Sequence, residues 1–426
     1  MSEDATPSLP NLWRIYNLRE SPYFQETLGS DSHRYPLSLF VGRAAEARRL
    51  LTAIGSSASS RQAVGGAPGV GKTTLVQSVK AAAFDAGYWT TDRLVPFSPD
   101  DTAGAVLGRL LAGLYDTILT ARPMTISNAA MQAAQQLVRV ARLESGGVSL
   151  SFMGVGAGMT RGASAATPPD AIMVDGPRVI RDLLRLVRQS GAPGVVLHLN
   201  NLENLGERDA KHAAEILRGL RDTVLLQEGL HIILAGTSDV VATVTGTFAQ
   251  VRSVFATPIA LGPLAAGDVQ ELLDARYEHL RLAPRKPVIP PVAPAAVKAL
   301  YPLFRGDLRS LFKVLEEGAS LLMGVVQDPG KSIPLSELRP ALRQRYAGII
   351  SQLEPRRQRQ LRAWAVKGLK TEHTQKSLAA LWNISQPAVS VALRTLEQDG
   401  LVVSLPRRGS DATRYALSGV SRMVFG

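Results

Sequence analysis

The sequence predicts an α/β fold, a parallel sheet covered by helices, followed by a helical segment and then a small basic unit built on a helix-turn-helix. Three observations predict it. Two continuous apolar runs, Gly194–Leu199 and Leu230–Ala235, have the composition of strands buried on both faces, and such strands belong to parallel sheets with helices on either side. Helical spacing of apolar residues recurs between the strand-like runs, so strand and helix alternate along the chain. A glycine-rich stretch, Gly66-Ala67-Pro68-Gly69-Val70-Gly71-Lys72-Thr73, lies between the short run Gln62-Ala63-Val64 and the helically spaced Leu75, Val76 and Val79, as a loop joining a strand to a helix would.

That loop carries the clearest chemistry. It reads Gly, four residues, Gly-Lys-Thr, the phosphate-loop pattern. Glycines let the backbone turn its N–H groups onto a polyphosphate, and the helix that opens near Lys72 aims its positive end at the same anion. Gly66, Ala67, Pro68, Gly69, Val70, Gly71 and Thr74 then form the cradle, Lys72 reaches the β- and γ-phosphates, and the Thr73 hydroxyl ligates the magnesium ion that travels with them. A bound nucleoside triphosphate with Mg²⁺ is predicted, at the carboxyl ends of the strands.

With 426 residues the chain has room for two or three domains, and 45% hydrophobic with 20% charged residues is ordinary for a soluble globular protein. It has no cysteine, which excludes disulfides, zinc thiolate sites and cysteine nucleophiles. The start, Met1-Ser2-Glu3-Asp4, lacks the basic and apolar stretches of a secretory signal, and the uncharged runs Pro123–Val138 and Ser145–Thr160 are too short and too polar for a membrane span. A cytoplasmic protein with no membrane partner is expected. The net charge of +12 is uneven: from Ala341 onward 14 Lys and Arg stand against 5 Asp and Glu, so +9 lies in the last fifth of the chain. A basic terminal module is the electrostatic footprint of a nucleic-acid binder.

Along the chain, residues 1–35 form a polar arm whose Trp13, Tyr16, Leu18, Tyr23 and Phe24 predict packing onto the phosphate-loop core. Helices are expected over 44–54, 103–120, 127–143, 177–188 and 209–224, with a second strand within 88–95. Val148–Met159 alternates apolar and small residues like a two-stranded ribbon, either a hairpin projecting Phe152 and Met153 into a channel or an ordinary hairpin at a sheet edge. The two apolar strands end in Asn200-Asn201-Leu202-Glu203 and in Gly236-Thr237-Ser238-Asp239. From Pro263 only helices are expected, over 266–280, 295–301 and 308–323, with a proline-rich connector at 284–294 and a linker at 329–334. The organisation is a nucleotide-binding domain over 1–262 with an N-terminal arm and an insertion near 124–168, a helical lid over 263–335, and a terminal module over 341–426.

In the terminal module a helix through Leu361, Trp364 and Ala365 precedes one starting at Thr374, and Trp382-Asn383-Ile384 leads to Ser385 as the N-cap of a third. Pro387 suits its first turn, and Val389, Ala392, Leu393 and Leu396 form its buried face up to Asp399-Gly400. Leu401–Val403 and Arg414–Leu417 pair around the tip Pro406–Ser410. Together these resemble a winged helix-turn-helix. The resemblance implies a recognition helix over Ser385–Gln398 that offers Ser385, Gln386, Ser390 and Arg394 to base edges, with Lys376, Arg407 and Arg408 on the phosphates of double-stranded DNA. Binding to a protein partner is the alternative for such a module.

The order of parts resembles the AAA+ superfamily, and within it the initiator ATPases of the origin-recognition and cell-division-cycle type. The resemblance implies ATP with Mg²⁺ as the bound cofactor and places Ser21-Pro22-Tyr23-Phe24 and Phe40-Val41-Gly42-Arg43 against the adenine. Thr237 or Ser238 takes the sensor position at the end of its strand, and Arg309 of Gly306-Asp307-Leu308-Arg309 takes the lid position that watches the γ-phosphate. The finger that such assemblies borrow from a neighbouring subunit matches Arg252 best, with Arg218 and Arg221 as rivals, and implies a homo-oligomer, a ring or a filament. One departure stands out. The strand before Glu203 should deliver an Asp for magnesium and a Glu to activate water, yet it ends in Asn200 and Asn201, which accept a hydrogen bond but take no proton. Asn200 can still face magnesium-bound water, and Glu203 is either the substitute base or a helix-start residue. The function expected is an ATP-controlled switch that assembles on duplex DNA, with slow or partner-dependent hydrolysis. The alternatives are a nucleotide-gated transcription regulator, and an adaptor ATPase that recruits a partner protein.

Overall fold

The computed structural model describes residues 11–29, 32–91, 93–145, 170–323, 331–405 and 412–426. Its centre is a parallel sheet of β1 (Ser60–Gly66), β2 (Trp89–Thr90), β3 (Val95–Pro96), β4 (Val195–Asn200), β5 (Leu230–Gly236) and β6 (Ile259–Leu261). β1 lies between β5 and β6, β4 follows outside β5, and β2 and β3 pair with the far edge of β4 at different heights, Trp89 beside Val195 and Val95 beside Leu199. The expected second strand is therefore two short ones. The register that sets Gly65 beside Gly236 brings the ends of β1 and β5 together, so the loop after one and the turn after the other are neighbours.

Helices cover both faces. α1 (Ala44–Gly55) and α2 (Lys72–Asp85) bury Leu50, Ile54, Leu75, Val76 and Val79 against Val64, Val196 and Ile233. α3 (Ala103–Ala121), α4 (Ala129–Ser145), α5 (Asp170–Gln189) and α6 (Glu207–Gly219) pack over Leu197, Leu199, Ile232 and Leu234, the alternate side chains of the same strands. Two expectations change here. α5 begins at Asp170 and carries Pro177 inside it, where the sequence placed a helix start, because its apolar face continues to Ile172 against the α3 side. α6 stops at Gly219 and gives way to a π-helical turn over Arg221–Leu225 that buries Val224 and Leu225. α7 (Ser238–Gly246) and α8 (Ala249–Arg252) complete the layer, and the 148–159 ribbon lies outside the described residues.

A second core forms around α9 (Ala266–His279), α10 (Pro294–Leu300) and α11 (Leu308–Leu322). The N-terminal arm belongs to this core, not to the sheet as expected: Tyr16, Leu18, Tyr23, Phe24 and Leu28 pack with Leu272, Leu273, Tyr277, Leu300, Leu311 and Phe312. Three short amphipathic helices leave one apolar side uncovered, and the arm's aromatic residues cover it. α12 (Leu335–Ser351) joins this core to the terminal module as one continuous helix, so the boundary expected near 335–341 falls inside it. Its Leu338 and Leu342 touch Gly318 of α11, while Ile350 belongs to the terminal core.

That terminal core gathers α13 (Pro355–Lys367), β7 (Glu372–Thr374), α14 (Gln375–Trp382), α15 (Gln386–Gln398), β8 (Val402–Leu405) and β9 (Arg414–Leu417) around Leu361, Trp364, Leu378, Leu393 and Leu417. The strands form an antiparallel sheet in the order β7-β9-β8. α16 (Gly419–Phe425) closes the chain with Met423 buried in the lid core. Among the described residues no helix is long and apolar enough to cross a membrane.

Candidate nucleotide-binding cleft

β1 delivers the glycine loop at the carboxyl edge of the sheet, and α2 leaves it. Gly69 (φ +76°) and Gly71 (φ +94°) take left-handed conformations that side chains resist, and Gly71 occupies the N-cap position of α2 with no side chain to satisfy the first N–H groups of the helix. Those donors are what an anion at this point would accept. Lys72 is buried, and its Nζ donates to the carbonyl oxygens of Gly66 (3.1 Å) and Ala67 (3.0 Å) and lies 3.4 Å from Oε2 of Glu203. Burial lowers the Lys72 pKa, Glu203 opposes that shift and Arg309 adds to it. The residues present fit a triphosphate: glycines at positive φ, an open helix N-terminus and a buried ammonium aimed along the loop.

The cleft has three walls. Pro68 to Thr74 form the floor, Phe24 to Leu28 with Phe40, Val41 and Arg43 form one side, and Leu264, Leu272, Arg276, Leu308, Arg309 and Phe312 of the lid form the other, with Glu203 at the phosphate end. Phe40, Val41, Lys72, Thr73, Glu203 and Arg309, expected from sequence, are thus brought together. Tyr23 is not; it is fully buried in the lid core with its hydroxyl 3.4 Å from that of Tyr277, because the turn at Pro22 directs Phe24 to the cleft instead.

Glu203 arrives through a backbone device. Asn201 takes a left-handed conformation (φ 67°) and starts the 3₁₀ turn Leu202–Asn204, which swings Glu203 to Lys72. Asn200 is buried, its carbonyl accepting from the Phe97 N–H (2.9 Å) and its amide facing Asn201 Oδ1 (3.5 Å), and neither asparagine is among the described residues lining the cleft. Thr237 is the half-buried N-cap of α7, and Ser238 sits against Gly65 at the end of β1; neither lines the cleft in this conformation. Arg252 is exposed at the end of α8 and donates to the Gly246 carbonyl (2.7 Å), Arg218 stacks over the Phe248 ring (4.3 Å), and Arg221 pairs with Asp222.

Two contributors escaped the sequence reading. Arg276 lies between the rings of Phe24 (3.8 Å) and Phe312 (4.5 Å) and donates to the carbonyls of Pro22 (3.1 Å) and Phe24 (2.8 Å), which ties the arm to the lid; burial pushes its pKa down to about 9. A lone arginine on a helix gives no linear signal of this. Asp307 caps α11 through the Ser310 N–H (3.1 Å) and hydroxyl (2.6 Å) and lies so close to Gly69 that a Cβ there would collide with its carboxylate. The helix-start pattern Asp307-Leu308-Arg309-Ser310 announces the cap but not the contact.

On the terminal module, Gln386 and Arg394 of α15, Ser385 before it and Lys376 of α14 are exposed, while Ser390 is half-buried. Ser385 holds the N-cap position but makes no side-chain cap hydrogen bond, so its hydroxyl is not committed to the helix. Val391, 59% exposed on the same outward face, carried no signal in a periodicity reading that assigns valine to the core. Arg407 and Arg408 lie outside the described residues. No group of three or more His, Cys, Asp or Glu among the described residues is arranged to hold a metal ion.

A parallel α/β sheet with a glycine loop, a buried lysine and a helical lid defines a phosphate-loop nucleotide-binding protein. Residues 39–234 match the family model of the AAA ATPase domain. Solved structures similar to it include the ORC1 protein of Aeropyrum pernix in complex with DNA (15% identity, TM-score 0.41, 90% of this chain and 92% of that one) and Cdc6p of Pyrobaculum aerophilum (13%, 0.41, 95% and 97%). A Walker-type ATPase of Pyrococcus abyssi is similar at 14% identity and TM-score 0.46, over 95% of this chain and 99% of that one. No curated protein matches the sequence.

Proposed function

We propose that this protein is an ATP-controlled DNA-binding switch. The observation that carries the reading is the closure of one cleft by both the phosphate loop and the lid, with Lys72, Glu203 and Arg309 converging on the phosphate end. Lys72 and the first-turn N–H groups of α2 would hold the phosphates, and Thr73 would meet the magnesium ion, which supplies charge neutralisation on the triphosphate. Phe40, Val41, Leu264 and Phe312 offer apolar contact suited to the base. Glu203 is the acid positioned to accept a proton from water, since Asn200 and Asn201 have none to offer and turn elsewhere. A base on a short turn, with amides in place of acids at the end of β4, supports slow hydrolysis.

The terminal module is read as a winged helix whose α15 enters the major groove of duplex DNA, with Gln386 and Arg394 at base edges and Lys376 on a phosphate. Arg252, exposed and free of the protein's own cleft, suits a finger offered to a neighbouring copy in an oligomer on that DNA. The test is sedimentation of the full chain on duplex DNA with Mg²⁺ and either ATP or no nucleotide. ATP-dependent assembly that Lys72→Ala abolishes supports the switch; the same assembly by Lys72→Ala with and without ATP refutes it. Assembly with no affinity for DNA would instead favour the adaptor reading.

A further inference from the structure

The lid turn that reaches the phosphate loop also touches the terminal module. Asp307 lies against Gly69, and Arg309 lines the cleft. Two residues before Asp307, the Arg305 guanidinium donates to Oε1 of Glu372 (2.9 Å), the first residue of β7. One residue earlier, the Phe304 ring meets Gly419, the first residue of α16, so closely that a Cβ there would collide with it. Arg422 Nη1 donates to the Leu303 carbonyl (3.4 Å), and Arg343 Nε donates to the carbonyl of Met423 (3.0 Å), itself buried in the lid core. Contacts with the terminal module, at Leu303, Phe304 and Arg305, are thus followed within a few residues by contacts with the cleft, at Asp307 and Arg309.

The turn is stiff. Arg305 (φ 52°) and Gly306 (φ +88°) are consecutive left-handed residues, and a Cβ on Gly306 would stand 2.6 Å from Pro263. Little freedom remains for the segment to absorb a displacement at one end without passing it to the other. It also responds to charge, because Asp307 and Arg309 have opposite signs and face the same phosphate end. A polyanion there attracts Arg309 and repels Asp307, which is the differential interaction that a ligand needs in order to shift a conformational equilibrium.

We propose that Phe304–Arg309 is a relay by which nucleotide in the cleft reorients the terminal module through the Arg305–Glu372 ion pair and the Phe304–Gly419 contact. The proposal rests on the reading that the cleft binds a triphosphate, and does not require that the module bind DNA. The chain has no cysteine, so a labelled pair can be introduced in the full-length protein at exposed positions, Arg208→Cys on α6 and Val366→Cys on α13. Spin-label distances are measured with and without a non-hydrolysable ATP analogue and Mg²⁺, and analogue affinity is measured by calorimetry on the same samples. The expected result is a nucleotide-dependent shift of the distance, lost in Arg305→Ala and in Glu372→Gln while analogue affinity stays within about twofold. Analogue binding with no shift in the natural protein overturns the relay alone, as does a full shift retained in both variants. Failure of the analogue to bind the natural protein overturns the nucleotide reading and the relay with it.

Discussion

Replacing Glu203 by Gln should move binding and turnover in opposite directions. Glu203 Oε2 stands 3.4 Å from Lys72 Nζ, with side-chain exposures of 39% and 6%. At an effective dielectric of about 20 the bare attraction is about 5 kcal/mol, a ceiling. Water reaches Glu203, and pairs with that exposure are worth about 1 kcal/mol or less net. Removing the carboxylate charge therefore frees Lys72 for the triphosphate and tightens nucleotide binding by a few-fold, roughly 2 to 5. Loss of the carboxylate paired with Lys72 removes a general base, which lowers hydrolysis by about 10²- to 10⁴-fold. Calorimetry with a non-hydrolysable analogue gives the first number and single-turnover hydrolysis the second. A Glu203→Gln protein that hydrolyses ATP at the natural rate refutes the assignment of the base, and one that binds the analogue more weakly refutes the competition between Glu203 and phosphate for Lys72.

Four other outcomes follow from the same geometry. Gly69→Ala forces a left-handed residue, about 1–2 kcal/mol, and displaces the capping carboxylate of Asp307, so analogue affinity should fall about tenfold or more. In an Asp307→Ser background, which keeps a cap but shortens it, part of that loss should return; equal losses in both backgrounds would show that lid and loop do not meet there. Asn200→Asp combined with Asn201→Glu should leave steady-state hydrolysis unchanged, because neither side chain faces the cleft, and a clear gain in rate would reverse that conclusion. His198 is fully buried, no described residue bonds either ring nitrogen, and burial with the neighbouring charge of Lys80 lowers its pKa to about 3. The unfolded chain takes up this proton first, so stability present above about pH 6.5 should fall on acidification at up to about 1.4 kcal/mol per pH unit, and a denaturation series of His198→Leu should lack that component. For the terminal module, Lys376→Ala should weaken binding to all duplexes and reduce the salt slope by about one, whereas Arg394→Ala should relax the preference at one base position; salt-independent affinity would contradict both.

The parts of the molecule legible in the sequence are those fixed by local chemistry. The phosphate loop, the buried strands at 195–200 and 230–236, and the helices starting at Ala44, Ala103 and Leu308 follow from glycine placement, apolar runs and capping residues that act within a few positions. What escaped depends on contacts between distant segments. The arm's aromatic residues announced burial but not its partner, and the lid rather than the sheet receives them. Arg276 joined the cleft, and Asp307 met the glycine loop, only when the arm and the loop were folded against them, residues 252 and 238 positions away in the chain. Glu203 was visible as an acid near the strand end, yet its approach to Lys72 depends on the left-handed Asn201, a conformation that asparagine permits without announcing. Pro177 misled because proline favours a helix start, whereas packing extends α5 through it.

The central claim is that the triphosphate cleft governs the hold of the terminal module on DNA. Its most direct test is the affinity of the full-length chain for duplex DNA at fixed salt, with and without a non-hydrolysable ATP analogue and Mg²⁺, for the natural protein and for Lys72→Ala. The account predicts that the analogue changes the natural protein's affinity by at least about fivefold and leaves that of Lys72→Ala unchanged. A natural protein that binds DNA equally well with the analogue bound and absent would contradict it.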